Sequence, residues 1–283
     1  MYGTPPETAR GKGEAPNLPL KRIMNTRLNN LTDWLDRQVA RNAPVPEITE
    51  QDANLTTLEA YQIQKLRMDR QVSKGDRIIG YKAALTSKAM QKQSGVGEPV
   101  LGTMLASRRR QEDEPVSLAG FIKATLEPEV AVLMNRELAG PGVTELEALH
   151  AVEGYLPCIE IGDIRTGENP RTLQQTIVCN TFNGGHVFGW PLVSPAGMDL
   201  RTEGMVLAVN GEVMDSATAV TVLGDPLRSV AFMANKLSEL GLALKPGMVL
   251  MTGSIVKSVV VKPGDEVLVR FTRLGQVRVR FTD

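Results

Sequence analysis

Apolar residues recur every three or four positions at Leu28, Leu31, Trp34, Leu35 and Val39, which places them on one side of a helix. Asn42, Pro44 and Pro46 end that pattern. A second helical stretch covers residues 58–66, with Thr56 and Glu59 spaced as a capping box, and should end near residues 73–75. From residue 77 the pattern changes to short apolar runs. Residues 77–86, 121–134, 155–164, 176–179, 187–188, 205–209, 212–214, 248–251, 258–261 and 266–271 read as strands. Residues 95–102 read as a loop punctuated by Gly and Pro, and residues 86–91 as the start of a short helix. Residues 144–152 form a helix capped by Thr144, and 167–174 a loop. Asn210-Gly211 predicts a tight hairpin. Residues 226–240 predict a helix with Val230, Met233, Ala234 and Leu237 on its apolar side and Gly241 as its stop. Many strands, one clear mid-chain helix and no β-α-β alternation predict an α+β fold, a mixed β-roll or barrel with an N-terminal helical appendage. Residues 1–23, rich in Pro and Gly, read as a disordered extension. Residues 24–75 form the helical region, and 76–283 the β-roll domain that carries the chemistry.

Composition narrows the function. Lys+Arg and Asp+Glu balance at 32 each, and aromatic residues make up 4%. Neither a nucleic-acid partner nor a charged membrane surface fits that balance. The apolar fraction of 42% is ordinary, and no run reaches the ~18 residues of a membrane span. Cys158 and Cys179 are no disulfide framework and read as reduced thiols. Without an apolar signal core at the N-terminus, a cytoplasmic location is expected.

The chemistry concentrates in residues 125–133. On a strand, Glu127 and Glu129 project to one face while Leu126 and Val130 take the other. Pro128 between them cannot donate a ladder hydrogen bond, so an edge or bulge is expected there. Glu160 is a third carboxylate in an apolar run. Like charges this close call for a compensating cation, and hard divalent ions take carboxylate oxygens. Lys82 lies among small and apolar neighbours, as a snorkelling surface lysine or as a cation aimed into a site. The two histidines, His150 and His186, are far apart, and His186 after Gly184-Gly185 reads as a surface or core residue. Arg108, Arg109 and Arg110, followed by Glu112, Asp113 and Glu114, read as a solvated turn. No nucleotide-binding, serine-hydrolase or zinc-protease motif is present.

Residues 80–91, Gly-Tyr-Lys-Ala-Ala-Leu-Thr-Ser-Lys-Ala-Met-Gln, resemble the G-x-K-x-G-L-T segment of the 2-keto-4-pentenoate hydratase and 4-oxalocrotonate decarboxylase family. That family lies within the fumarylacetoacetate hydrolase superfamily. Glu98-Pro99-Val100-Leu101-Gly102, Leu126-Glu127-Pro128-Glu129, residues 156–165, residues 223–237 and Met251-Thr252-Gly253-Ser254 resemble further family segments in the same order. The resemblance implies a β-roll holding Mg²⁺ or Mn²⁺ on Glu127, Glu129 and Glu160. It implies a substrate chelated through its 1-carboxylate and 2-oxo group, with Lys82 orienting it or moving protons. Thr252 and Ser254 would contact the substrate carboxylate. Hydratases of the family carry an acid where this chain has Val100. Thr125, Cys179 and Asp225 also depart from the family pattern. The expected activity is that of a divalent-metal-dependent lyase acting on a small 2-oxo or 2-hydroxy-enoate of aromatic catabolism. It is read first as a 2-keto-4-pentenoate (2-hydroxypenta-2,4-dienoate) hydratase and second as a 4-oxalocrotonate decarboxylase. An acylpyruvate hydrolase and a non-catalytic partner subunit are more distant readings. A homo-oligomer, with association to a pathway partner enzyme, is the implied assembly.

Overall fold

The computed structural model describes residues 18–169 and 171–283. Helix α1 (Leu18–Ala40) carries the predicted stripe. Leu28, Leu31 and Leu35 are buried, with Trp34 and Val39 packed beside them. The helix begins inside the stretch read as an extension, and residues 1–17 lie outside the described residues. Helix α2 (Thr57–Ser73) opens on the predicted capping box, in which Thr56 and Glu59 satisfy each other's backbone N–H. Thr56→Ala should therefore lower stability by about 1 kcal/mol, read as a shift in the urea midpoint without a change in slope. Arg67 and Arg70 of α2 both reach Asp36 of α1 at 2.8 Å. Both helices share one hydrophobic core with the sheets, so they pack as part of the body rather than beside it.

Along the chain follow β1 (Ile78–Ala84), α3 (Lys88–Gln93), β2 (Val100–Leu105), β3 (Arg109–Arg110), β4 (Val116–Ser117) and β5 (Ala124–Met134). Next come α4 (Glu145–His150), β6 (Val152–Asp163), α5 (Leu173–Val178), β7 (Asn183–Phe188), β8 (Gly204–Val209) and β9 (Glu212–Thr218). The chain closes with α6 (Pro226–Glu239), β10 (Val249–Met251), β11 (Val259–Val260), β12 (Glu266–Phe271) and β13 (Gln276–Thr282). The larger sheet runs β2-β1-β10-β5-β6-β7-β3, with β11 paired to β5. A second sheet runs β4-β13-β12-β8-β9. The Asn210-Gly211 hairpin has positive φ at both residues, as the turn requires. Asp225 caps α6 by accepting from Leu227 N, which accounts for an acid at that departure from the family pattern.

Three expectations fail for identifiable reasons. Residues 176–179 are not a strand. Ile177 and Val178 belong to helix α5, started by Thr172, whose hydroxyl accepts from Gln175 N. A short apolar run does not by itself separate helix from strand. Residues 100–102 belong to β2, because Gly102 is a strand position kept small by a neighbour described below. Pro128 lies in an internal strand, not at an edge or bulge. On one side it pairs with Ile159 of β6. On the other, β5 meets β10 at 131–133 and β11 at 125–126, and Pro128 falls in the interval between them. There Ile255 N donates to Pro128 O and Thr252 N to Val130 O. The ladder is already interrupted where proline lacks its N–H, and the 252–255 loop fills the gap. The predicted strands also omit β13, although its buried Val277, Val279 and Phe281 alternate with exposed Arg278 and Arg280.

Candidate metal centre and active site

Strand pairing brings the three carboxylates together. Glu127 lies directly opposite Glu160, and Glu129 opposite Cys158. Cross-strand partners share a face, so Glu127, Glu129 and Glu160 point the same way. Leu126 and Val130 go to the main core on the other side. One oxygen from each of the three glutamates lies within 4.8 Å of the others. Glu129 and Glu160 are buried, and Glu127 is partly buried.

Lys82 of β1 comes to this cluster across the curl of the sheet. It is buried, and its Nζ lies 2.9 Å from Glu160 Oε2. Asn183 Nδ2 donates to Glu160 Oε1 at 2.9 Å. Gly253 N donates to Glu129 Oε2 at 2.6 Å, while Glu129 Oε1 is buried without a partner among the described residues. Desolvation, then Glu160, pushes Glu127 up to about 7. The same two causes, followed by Glu127, hold Glu129 well above the usual carboxylate range. Burial alone would lower Lys82, but Glu160, Glu127 and Glu129 together hold it above the ordinary lysine value.

One buried ammonium faces three carboxylates. That surplus of negative charge, together with an orphaned buried carboxylate oxygen, fits a hard divalent cation on Glu127, Glu129 and Glu160. The expected ligand set is thus assembled in one place, and Lys82 with it.

Thr252 and Ser254 lie on the loop that delivers Gly253. Thr252 is buried, and its hydroxyl donates to Val130 O at 2.9 Å. The Ser254 hydroxyl donates to Val256 O at 2.6 Å. Both hydroxyl protons are therefore engaged with backbone. Gly253 has φ +114 and stands against Thr86, where a Cβ would strike the Thr86 hydroxyl.

The same face continues as an apolar floor of Met104, Ala131, Leu156, Cys158, Phe188 and Met251. Register ties it to the carboxylates: Cys158 is opposite Glu129 and Phe188, and Ala131 is opposite both Leu156 and Met251. Cys158 and Cys179 are both buried free thiols. His186 is a strand residue, opposite Glu160 on β7. It is buried with neither ring nitrogen partnered among the described residues, and burial followed by Arg110 pushes it down to about 3. Arg109, read as part of a turn, pairs within β3 against β7 and places its guanidinium 5.8 Å from the Phe188 ring centroid. Val100 is buried on β2 opposite Ala84.

A turn the sequence reading passed over supports Lys82. Asn180, Thr181 and Phe182 have φ values of 54°, 49° and 62°. Three successive left-handed residues other than glycine cost about 1–2 kcal/mol each. In return Thr181 sits over Gly102, where a Cβ would collide with its hydroxyl and crowd Lys82 Cγ at 3.1 Å. The Asn in an Asn-Thr-Phe run was a weak signal for this, since Asn tolerates the left-handed region.

Residues 79–282 match the family model described as fumarylacetoacetate hydrolase C-terminal. The chain is 32% identical over 263 residues to 4-oxalocrotonate decarboxylase of Pseudomonas putida, covering 91% of this chain and 100% of that protein. It is 32% identical to 2-hydroxyhexa-2,4-dienoate hydratase of Comamonas testosteroni, covering 83% of this chain and 90% of that one. The structure of 4-oxalocrotonate decarboxylase from Pseudomonas putida G7, complexed with magnesium and adipate, superposes with a TM-score of 0.88 at 30% identity, over 91% of this chain and 98% of that one. A fumarylpyruvate hydrolase from Pseudomonas aeruginosa, in complex with Mn²⁺ and pyruvate, shares the fold alone, with a TM-score of 0.57 at 16% identity over 71% of this chain and 88% of that one. With its motifs in order, its β-roll and its cluster of glutamates, the chain belongs to the 2-keto-4-pentenoate hydratase and 4-oxalocrotonate decarboxylase family of the fumarylacetoacetate hydrolase superfamily.

Proposed function

We propose that this chain is a divalent-metal-dependent carbon lyase acting on a small 2-oxo or 2-hydroxy-enoate, and that its reaction is the hydration of a 2-hydroxypenta-2,4-dienoate. The observation that carries the lyase reading is the cluster of Glu127, Glu129 and Glu160 facing one buried lysine. Mg²⁺ or Mn²⁺ bound there supplies Lewis acidity to a 2-oxo acid. Lys82 is the catalytic residue: its ammonium holds a proton beside the carboxylates and orients the oxo group. Asn183 and the Gly253 N–H fix the orientations of Glu160 and Glu129. Ser254 contacts the substrate carboxylate by turning its hydroxyl from Val256 O, exchanging a neutral hydrogen bond for a charge-assisted one. Thr252 serves the substrate side by pinning its loop to Val130. The floor of Met104, Leu156, Phe188 and Met251 suits an uncharged enoate tail, which supports hydration over reaction of a dicarboxylate.

Two observations favour 4-oxalocrotonate decarboxylation as a second reading. Val100 offers no acid on β2, and Arg109 over Phe188 is a cation suited to a second carboxylate. An ultraviolet assay with Mg²⁺ or Mn²⁺ separates the readings. Loss of the 2-hydroxypenta-2,4-dienoate chromophore without CO₂ is the expected result. CO₂ released from 4-oxalocrotonate makes the protein a decarboxylase, and inertness to both while metal still binds removes the substrate assignment. The catalytic domain is taken as residues 76–283, with 24–75 supporting it. Exposed Val206, Val213 and Met214 on the second sheet support a homo-oligomer, to be read by sedimentation. No helix among the described residues is long and apolar enough to cross a membrane, in keeping with a proposed cytoplasmic location.

A further inference from the structure

Strand β2 is the outer strand of the larger sheet. One side of it pairs with β1, placing Gly102 opposite Lys82. On the other side no strand follows among the described residues, and the backbone groups of Leu101 and Thr103 would be left as an open edge. All four of those groups are taken by side chains. Leu101 N donates to the Tyr61 hydroxyl at 3.1 Å, and Gln64 Nε2 donates to Leu101 O at 2.9 Å. Thr103 N donates to Asn180 Oδ1 at 2.7 Å, and Asn180 Nδ2 donates to Thr103 O at 2.8 Å. Tyr61, Gln64 and Asn180 are themselves buried.

Two of the three side chains come from α2, which precedes the residues matched by the family model. The third comes from the left-handed turn before β7. Such conformations persist only where the surroundings over-determine them. What this one secures is local: Asn180 lies along the β2 edge, and the next residue, Thr181, fills the space over Gly102 beside the Lys82 stem. Gln64 also donates to Ile177 O in α5, so the same amide ties the helical region, the edge strand and the segment leading into the turn.

We propose that Tyr61, Gln64 and Asn180 replace a missing neighbour strand, and that by holding β2 they position Lys82 against Glu160 through Gly102 and Thr181. They are positioning residues, and the N-terminal helices are part of the support of the site. The consequence for turnover rests on the reading of Lys82 as the catalytic group. The consequence for the geometry of Lys82 does not.

The test uses the full chain with saturating Mg²⁺, treated with an amine-acetylating reagent, and follows acetylation of Lys82 and of exposed Lys245 by mass spectrometry. Asn180→Gly removes the side chain while glycine keeps the positive φ without strain. Gln64→Met keeps the length and removes the amide. Tyr61→Phe removes only the hydroxyl. Losing two hydrogen bonds, both at the edge in Asn180→Gly and one at the edge with one to Ile177 O in Gln64→Met, should raise Lys82 acetylation by about 10-fold or more, and losing one by about 3-fold in Tyr61→Phe. Lys245 should not change. In turnover, kcat should fall while the substrate KM stays within about two-fold, the signature of a displaced catalytic group rather than a lost binding contact. Asn180→Asp, which keeps the acceptor for Thr103 N, should recover part of both effects.

Unchanged Lys82 acetylation in variants with native circular dichroism would overturn the proposal, as would activity loss that only follows the folded fraction. If the two larger changes do not fold, Tyr61→Phe decides alone. If Lys82 acetylation rises but wild-type protein consumes neither enoate, the edge support stands and the reaction reading falls.

Discussion

Glu129→Ala is expected to lower Mg²⁺-dependent turnover by at least about 100-fold, since loss of groups that only support a metal ligand already costs 10–100-fold. Glu129 is the most committed of the three carboxylates. It is buried, one oxygen is fixed by Gly253 N–H, and the other has no partner among the described residues. Glu160 is already engaged by Lys82 and Asn183, so it could take over only by giving up those partners. The fold should survive. The change leaves Gly253 N–H unpaired, a loss of about 1–3 kcal/mol, but it also removes a buried carboxyl whose ionisation is opposed by desolvation, Glu160 and Glu127. The two effects oppose each other, so the metal-free variant should melt close to the metal-free wild type. The decisive readout is the increment on adding metal. Wild type should gain about 2.7 kcal/mol at a metal concentration 100 times Kd, and the variant should gain little. Full turnover in Glu129→Ala would remove the metal reading, whatever its melting behaviour.

The site was more legible in the sequence than its support. Glu127 and Glu129 could be placed on one face because the period of a strand is two, and the Leu126 and Val130 alternation confirmed which face was core. That Glu160 stands opposite Glu127 depended on register, which only the pairing of β5 with β6 supplies. Lys82 was singled out by its small neighbours, but its meeting with Glu160 depends on the curl of a whole sheet. Strand β2 was hidden because Gly102 reads as a breaker when its reason, the Thr181 hydroxyl, lies 79 residues away. Thr252 and Ser254 entered through the resemblance to the family, which implied a contact with the substrate carboxylate. Their hydroxyl directions were not readable, since the carbonyls they face belong to β5 and to the loop itself. The errors at Gly102 and Pro128 share one cause, a conformation set by a partner distant in sequence, whereas helix α5 and strand β13 carried local signals in the Thr172 cap and the alternation over 277–281.

The same cluster should make metal-free stability fall as pH rises. Glu127 is pushed up to about 7, and Glu129 stands well above its ordinary value, with desolvation the leading cause and Glu160 the next. Unfolded glutamates titrate near 4.5, so between that pH and about 7 the folded chain holds protons that the unfolded chain has released. The stabilisation is therefore fully present below about pH 4.5 and is lost as pH climbs through about 7. Asp52, Glu59 and Asp76 are shifted the other way, and their contribution is lost only in acid, below the ordinary carboxylate range. Those two effects occupy different windows, and His186, pushed down to about 3 by burial and then Arg110, opposes the loss only below its ordinary value of 6.5, one imidazole against two carboxyls. A chelated sample should lose Tm between about pH 5 and about pH 8, and added Mg²⁺ should restore more of it at the upper end, because metal and protons compete for the same oxygens. Glu129→Gln keeps the shape and removes one of the like charges, so its metal-free slope should be shallower than that of wild type. An increment from Mg²⁺ that is independent of pH, or an equal slope in Glu129→Gln, would show that these carboxylates are not the groups that bind the ion.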